Sequence, residues 1–372
     1  MENIVKTQNW KKTFFIIWLG QAFSFLGSSI VSFAIIWWIT EKTGSATILL
    51  VATLMSFMPQ GILGPFIGVI VDRYSRKKIM ILSDLSIAVA TSFLVIAGIL
   101  GDIPIWIIMI VMFVRSIGSA FHSPSLSSSI PLLVPKEYLT KASGWNQMLV
   151  AGSQVIGPII GAAFLAFMDI GYIALIDIIG AIFAILSLLC IKLPELNKSE
   201  IKKVHVLKDM KEGFLALKNC KGIFKLSIII AIMEIVIIPL GTLFPLMTKN
   251  HFNGTAINAS IIETVFGIGM TLGAVMLGIF GCKKKKVIAI IISIITVGIT
   301  VMISGLLPSS AFVIFAVLSI IMGAAGSFCS GLYTALLQEK IDVNVLRKSF
   351  FNYKCNASYG ISTWNDYSCP YL

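Results

Sequence analysis

Ten apolar segments, each about as long as a helix that crosses a bilayer, leave this chain few folds to choose from. They cover residues 14–39, 46–71, 79–100, 104–130, 144–168, 170–191, 223–248, 257–281, 287–307 and 310–337. A spanning helix needs roughly 20 apolar residues, and in hydrocarbon a helix satisfies its backbone hydrogen bonds within its own segment. Composition points the same way. Of 372 residues, 57% are hydrophobic and only 12% charged, at a mean hydropathy of +0.94, whereas soluble domains carry about a quarter charged residues. The expected fold class is an all-α polytopic membrane protein with six spans, a hydrophilic stretch and four more spans. The first segment lies where a signal peptide would. No small-residue cleavage site follows it and a second span comes at once, so it reads as a mature helix.

The net charge of +12 could suggest nucleic acid, but the placement of the bases argues against that partner. With the N-terminus inside, the inner segments hold 26 of the 29 Lys and Arg. Lys42 and Lys249 stand in outer loops, and Arg115 lies within a span. That asymmetry is the positive-inside rule repeated over every loop. It places the chain in a plasma membrane as a multi-pass protein with a cytoplasmic N-terminus.

The organisation read from the sequence is an N-terminal six-helix bundle over 1–191, a cytosolic linker over 192–222, four helices over 223–337 and a hydrophilic tail over 338–372. In the linker, Leu207, Met210, Phe214 and Leu217 recur at helical spacing with Lys and Glu on the other face. This predicts an amphipathic helix on the inner leaflet, held partly by anionic lipid. An internal repeat at an offset of about 205 residues relates "GPFIGVIVDRYSRKK" to "GAVMLGIFGCKKKK", and the end of span 4 to the end of span 10. The same offset predicts an eleventh span near 349. Instead the chain reads "RKSFFNYKCNASYGISTWNDYSCPYL" from Arg347. Two explanations stand: a short cytosolic tail, or a frameshift in which one inserted A turns Gly-Lys-Val-Phe codons into Arg-Lys-Ser-Phe. Resequencing around codon 346 separates them.

Several residues could carry chemistry. The turn "GVIVDRYSRKK" packs Asp72, Arg73, Arg76, Lys77 and Lys78 between spans 2 and 3, with Gly68 one turn before Asp72. Topology explains the bases but not the acid. Glycine at that spacing admits a neighbouring backbone, and an acid at a helix end can dock on the positive end of another helix. Arg115 lies near the midplane, where a cation is costly and should face a polar cavity or an acid; it is either a proton-handling or a structural residue. In span 5, Gly152, Gly157, Pro158 and Gly161 lie within "GSQVIGPIIGA". Pro158 frees a backbone carbonyl, and the glycines allow close helix packing. Glu234, Glu263, Asp177 and Asp84 are the acids within spans. A carboxyl in low dielectric holds its proton more readily than one in water, so these are candidate proton carriers or hydrogen-bonded structural groups. Trp37, Trp38, Phe57, Met58, Trp145 and Met148 could line a cavity for a hydrophobic substrate, or face lipid.

Other chemistry is not indicated. No GxxxxGK[ST] loop is present to bind a nucleotide, so the energy source expected is the proton-motive force, with no cofactor. His122, His205 and His251 are scattered, and the six cysteines show no CxxC or His-paired metal spacing. No catalytic constellation suggests an enzyme.

The Asp72 loop between the second and third of many spans resembles the signature loop of the major facilitator superfamily. "RSIG", Arg115 to Gly118, resembles that superfamily's fourth-span motif, whose Arg takes part in proton handling. Gly-Pro-x-x-Gly in span 5 resembles its antiporter motif, found in exporters. Read together, "NWKKTFFIIWLGQAFSFLGSSI", "ITEKTGSA", "GVIVDRYSRKKIMI", "VRSIGSAFHSP", "PLLVPKEYLTKASG", "HFNGT", "ISGLLP" and "TALLQEKI" resemble the macrolide efflux proteins of Gram-positive bacteria over residues 9–346. The resemblance implies a major facilitator fold of six plus six helices and proton-driven export of a macrolide-like drug by a chain expected to be a monomer. It also implies that the Asp72 loop closes against an eleventh span, which this sequence departs from. Two further readings stay open: a passive or uptake facilitator, and a truncated product that does not transport.

Overall fold

The structure is a computed structural model that describes residues 10–101, 103–135, 138–191, 193, 215, 218, 221–280 and 286–340. Among them the regular structure is ten helices: α1 (Trp10–Thr43), α2 (Ala46–Arg73), α3 (Arg76–Ile99), α4 (Ile105–Leu133), α5 (Leu139–Leu165), α6 (Ile170–Leu189), α7 (Lys221–Asn250), α8 (Ala256–Phe280), α9 (Lys286–Leu306) and α10 (Phe312–Lys340). Nine of them, α1–α6 and α8–α10, are long and apolar enough to cross a membrane, counted over the described residues. α7, the helix of the seventh expected span, is not among those nine. The amphipathic linker helix and the 341–372 part of the tail lie outside the described residues.

Local chemistry sets the tight turns. Gly44, at φ +58°, closes α1 with its N–H on the Thr40 carbonyl, a left-handed conformation that glycine adopts without steric cost. Ser45 then caps α2, its Oγ accepting from the Ile48 N–H at 3.4 Å. Only Tyr74 and Ser75 separate α2 from α3, so the two helices turn back on each other at once.

Two apolar cores hold most of the buried side chains of the first six helices, with a smaller one of Ile67, Val71, Ile79 and Ala120 near the α2–α3 turn. One gathers Val31, Ile35, Leu49, Leu94, Ile108 and Ile173; the other gathers Phe14, Ile17, Met80, Leu126, Ile130 and Leu188. Here α1 lies against α5 and α6, α3 against α4 and α6, and α2 against α4. In the last four, α8 and α9 pack on α10, which repeats α2 and α3 packing on α4. α8 comes closest at Gly269 and Gly273, where a Cβ would meet the Ile320 and Ala324 carbonyls.

α9 shows the solvent these helices suit. Its exposed residues include Ile288, Ile291, Ile292, Ile295, Ile299 and Met302, while Ser293 and Thr300 are buried beside Ile290 and Val297. A helix in water turns its hydroxyls out and its isoleucines in; the opposite order fits lipid. The protein is multi-pass.

Contacts between the two groups of helices include the α1–α2 end. Lys249 Nζ, on α7, donates to the carbonyls of Thr40 (3.3 Å) and Glu41 (2.8 Å). Phe33, Trp37 and Ala162 share a core with Ala256 and Ala259. Further in, Thr264 Oγ1 donates to the Val155 carbonyl at 3.3 Å.

Candidate functional site: a buried ion pair among the first six helices

α1 and α6 approach closely at Gly27, where a Cβ would stand 3.0 Å from the Ile176 carbonyl oxygen and 3.3 Å from the Asp177 Cα. That approach brings Ser28 within reach of Asp177, and Ser28 Oγ donates to Oδ1 at 2.6 Å. Thr91 Oγ1, from α3, donates to Oδ2 at 2.9 Å. Arg115 of α4 completes the site. Its Nη1 pairs with Asp177 Oδ2 and donates to Thr91 Oγ1 at 3.0 Å; its Nη2 donates to the Ser28 carbonyl at 3.2 Å and to Ser32 Oγ at 3.5 Å.

Arg115 is 8% and Asp177 1% exposed. Two isolated charges at that depth would be prohibitive, whereas a neutral pair with its remaining valences hydrogen-bonded is tolerable. Four helices therefore meet on one charge pair. Neutralising the carboxylate with a proton would leave the guanidinium without its counter-charge, so a proton arriving here has a structural consequence.

The other residues singled out in the sequence do not gather at this point. Glu234 lies on α7 and Glu263 on α8, half-buried; among the described residues neither receives a hydrogen bond or ion pair. In α5, a Cβ on Gly157 would run into Ser29 of α1, and one on Gly161 would stand 3.0 Å from Phe33. Pro158 is buried between them, while Gly152 has open space around its Cα. The motif thus seats α5 on α1, on residues adjoining those that contact Arg115.

At the α2–α3 turn the bases have partners that topology alone does not require. Arg76 Nη1 donates to the Ser128 carbonyl, and Lys77 Nζ to the Ile191 carbonyl, each at 2.6 Å. Lys77 also reaches the Leu189 carbonyl at 3.5 Å, placing a cation on the negative C-terminus of α6. Gly68 lies within α2. The side chains of Asp72 and Arg73, and the segment expected to hold an eleventh span, lie outside the described residues.

The aromatic and methionine candidates are spread out. Trp38 sits under Lys42, whose Nζ is 5.8 Å from its ring. Trp145 packs on Phe14 and Phe15 near the opposite end of α1, about 35 Å along the helix axis. Met58 and Met148 are exposed. These four do not surround one space.

One polar pair has no counterpart in the sequence reading. His122 Nε2 lies 3.5 Å from Asp84 Oδ1, with both residues buried. The available signal was periodic: His122 is seven residues beyond Arg115, two turns along the same face.

The major facilitator superfamily model matches residues 17–350. The chain belongs to the major facilitator superfamily. It is 43% identical over 346 residues to macrolide efflux protein A of Streptococcus pyogenes, matching 93% of this chain and 85% of that one. To macrolide efflux protein A of Enterococcus faecalis it is 42% identical over 308 residues, covering 82% of this chain and 95% of that protein. Among solved structures, a bacterial homologue of the human lysosomal transporter Spinster, crystallised inward-facing and unoccupied, superposes with a TM-score of 0.68 at 16% identity, over 95% of this chain and 80% of that one. At that identity the likeness concerns the fold. The superfamily expected from the Asp72 loop and the span-4 and span-5 motifs is the one found, and the chain is a transporter.

Proposed function

We propose that this superfamily member exports a small hydrophobic, macrolide-like drug across the bacterial plasma membrane in exchange for protons, by alternating access of its two groups of helices. Similarity to macrolide efflux proteins over nearly the whole chain is the observation that carries the substrate class. The Gly-Pro-x-x-Gly motif of α5, which resembles the antiporter motif of exporters, supports the exporter direction, and the seating of Gly157 and Gly161 on α1 ties it to the helix holding Ser28 and Ser32. Proton coupling falls to Arg115 and Asp177, which share one buried site, with Glu234 and Glu263 as carriers on the other group of helices. Substrate leaves as one of those two carboxylates takes a proton from outside. The distribution of the bases supports a cytoplasmic N-terminus and α2–α3 turn, facing anionic lipid. Energy comes from the proton-motive force, and the working unit is the monomer.

The test is expression of this chain in a macrolide-sensitive bacterium, with labelled macrolide accumulation measured with and without a protonophore. Lower accumulation that the protonophore reverses is the expected result. Unchanged accumulation with the protein present in the membrane sinks the assignment for this chain, and raised accumulation marks an uptake facilitator instead. A parallel strain whose reading frame is altered after codon 346 distinguishes a wrong substrate from a chain that does not transport.

A further inference from the structure

Ser28, Thr91 and Arg115 bring α1, α3 and α4 together on Asp177. Seven residues from each, toward the α2–α3 turn, stand Gln21, Asp84 and His122. Seven residues are two helical turns, about 10 Å along each axis and on nearly the same face. The three helices therefore carry a second polar layer beneath the first. Gln21 is 1%, Asp84 2% and His122 5% exposed. Both polar atoms of the Gln21 amide, Oδ2 of Asp84 and Nε2 of His122 make no hydrogen bond. Eight residues below Asp84, Arg76 binds the Ser128 carbonyl at the turn itself. Buried Ser125 lies between these levels on α4, and buried Ser129 just past the lower one.

Buried polar atoms are nearly always paired, and unpaired ones call for an explanation. Here a carboxylate and an imidazole face each other at 3.5 Å with no other described charge in contact. An anionic carboxylate beside a neutral imidazole leaves a bare buried charge. One added proton, on Nε2 or on the carboxyl, makes the pair neutral or an internally compensated ion pair, either of which the interior accepts more readily. The other charged groups on the helices packed around it are Arg115 and Asp177 two turns outward, Arg76, Lys77 and Lys78 at the start of α3, Lys11 and Lys12 at the start of α1 with Glu41 and Lys42 at its far end, Asp72 and Arg73 at the end of α2, and Lys141 at the start of α5.

We infer that Asp84 and His122 together form a proton-binding site, midway on a polar column that runs through α1, α3 and α4 from the Arg115–Asp177 pair to the α2–α3 turn. The pair accepts one proton while enclosed and delivers it to water at the α2–α3 face. The inference rests on the proton-antiport reading and adds to it a second proton site within the first six helices.

Full-length protein in proteoliposomes tests this, with labelled macrolide as substrate. Gradient-driven efflux is compared with drug–drug exchange at equal pH on both sides, and the pH at the α2–α3 face is varied alone. In the wild type the gradient raises efflux above exchange, and efflux depends on the pH of that face. In Asp84→Asn and His122→Gln the ratio of driven efflux to exchange falls toward one and the dependence on that pH is lost. Asp84→Glu restores both. Wild-type-like ratios and pH dependence in Asp84→Asn and His122→Gln overturn the inference while leaving proton antiport intact. Equal loss of exchange and efflux in all three variants also overturns it, since that marks a structural role. A wild type indifferent to the gradient overturns proton antiport and this inference together.

Discussion

The Arg115 guanidinium meets four oxygens, from Asp177, Thr91, Ser28 and Ser32, and a lysine ammonium cannot reproduce that fork. Arg115→Lys should therefore lose stability by about 1–3 kcal/mol, read from thermal unfolding of purified protein in detergent. Asp177→Asn leaves an uncompensated buried cation and should cost more, about 3–5 kcal/mol. The Arg115→Met/Asp177→Leu double variant removes both charges and should unfold closer to wild type than Asp177→Asn does. A double variant as unstable as the single one would mean the site is held by something other than charge pairing. Arg115 could be read from the sequence because a lone base in an apolar span is conspicuous. That Asp177 is its partner could not: the choice among Asp177, Asp84, Glu234 and Glu263 depends on how α1 and α6 meet at Gly27. His122 was less visible still, since one histidine in an apolar helix carries no signal until the facing helix is known.

Helices were the legible level, because span length and apolar runs are local properties, and so was the turn between α2 and α3 that holds Ser75. Which face of each helix packs where was not, as α9 illustrates: its inward Ser293 and Thr300 invert the rule for soluble helices, and an all-apolar span gives no amphipathic stripe to read. The GPxxG motif indicated close packing but not its partner, which is α1. Gly157→Leu should force α5 off Ser29 and cost about 1–3 kcal/mol by overpacking. Exchanging the small residue across the contact, Ser29→Gly with Gly157→Ala, should recover most of what Gly157→Ala alone loses. No recovery would mean that the helix contact is not what makes Gly157 sensitive. At the end of α6, Lys77→Glu replaces a cation beside exposed carbonyls with an anion. It should destabilise by about 0.3–1 kcal/mol, with Lys77→Ala between, in the same unfolding assay at low salt.

Across the whole molecule, the contact between Lys249 and the Thr40 and Glu41 carbonyls joins the two groups of helices at the α1–α2 end. Beneath it, the buried rings of Phe33 and Trp37 adjoin Ala256 and Ala259. If access alternates, this end has to part during each cycle, breaking two hydrogen bonds to a charged donor, each worth about 1.5–3 kcal/mol. Under the proposed topology this end faces outward, so its opening releases the drug. Cysteines placed at 40 and 249, in a background with the six native cysteines replaced, can be joined by a short bifunctional maleimide. Cross-linked protein should bind macrolide yet lose efflux in proteoliposomes. The same protein labelled with a monofunctional maleimide has lost the Lys249 contact but can still open, so it should keep transporting. Equal efflux from the cross-linked and singly labelled forms would show that the α1–α2 end stays shut throughout transport, and the rocking of one helix group against the other would have to be abandoned.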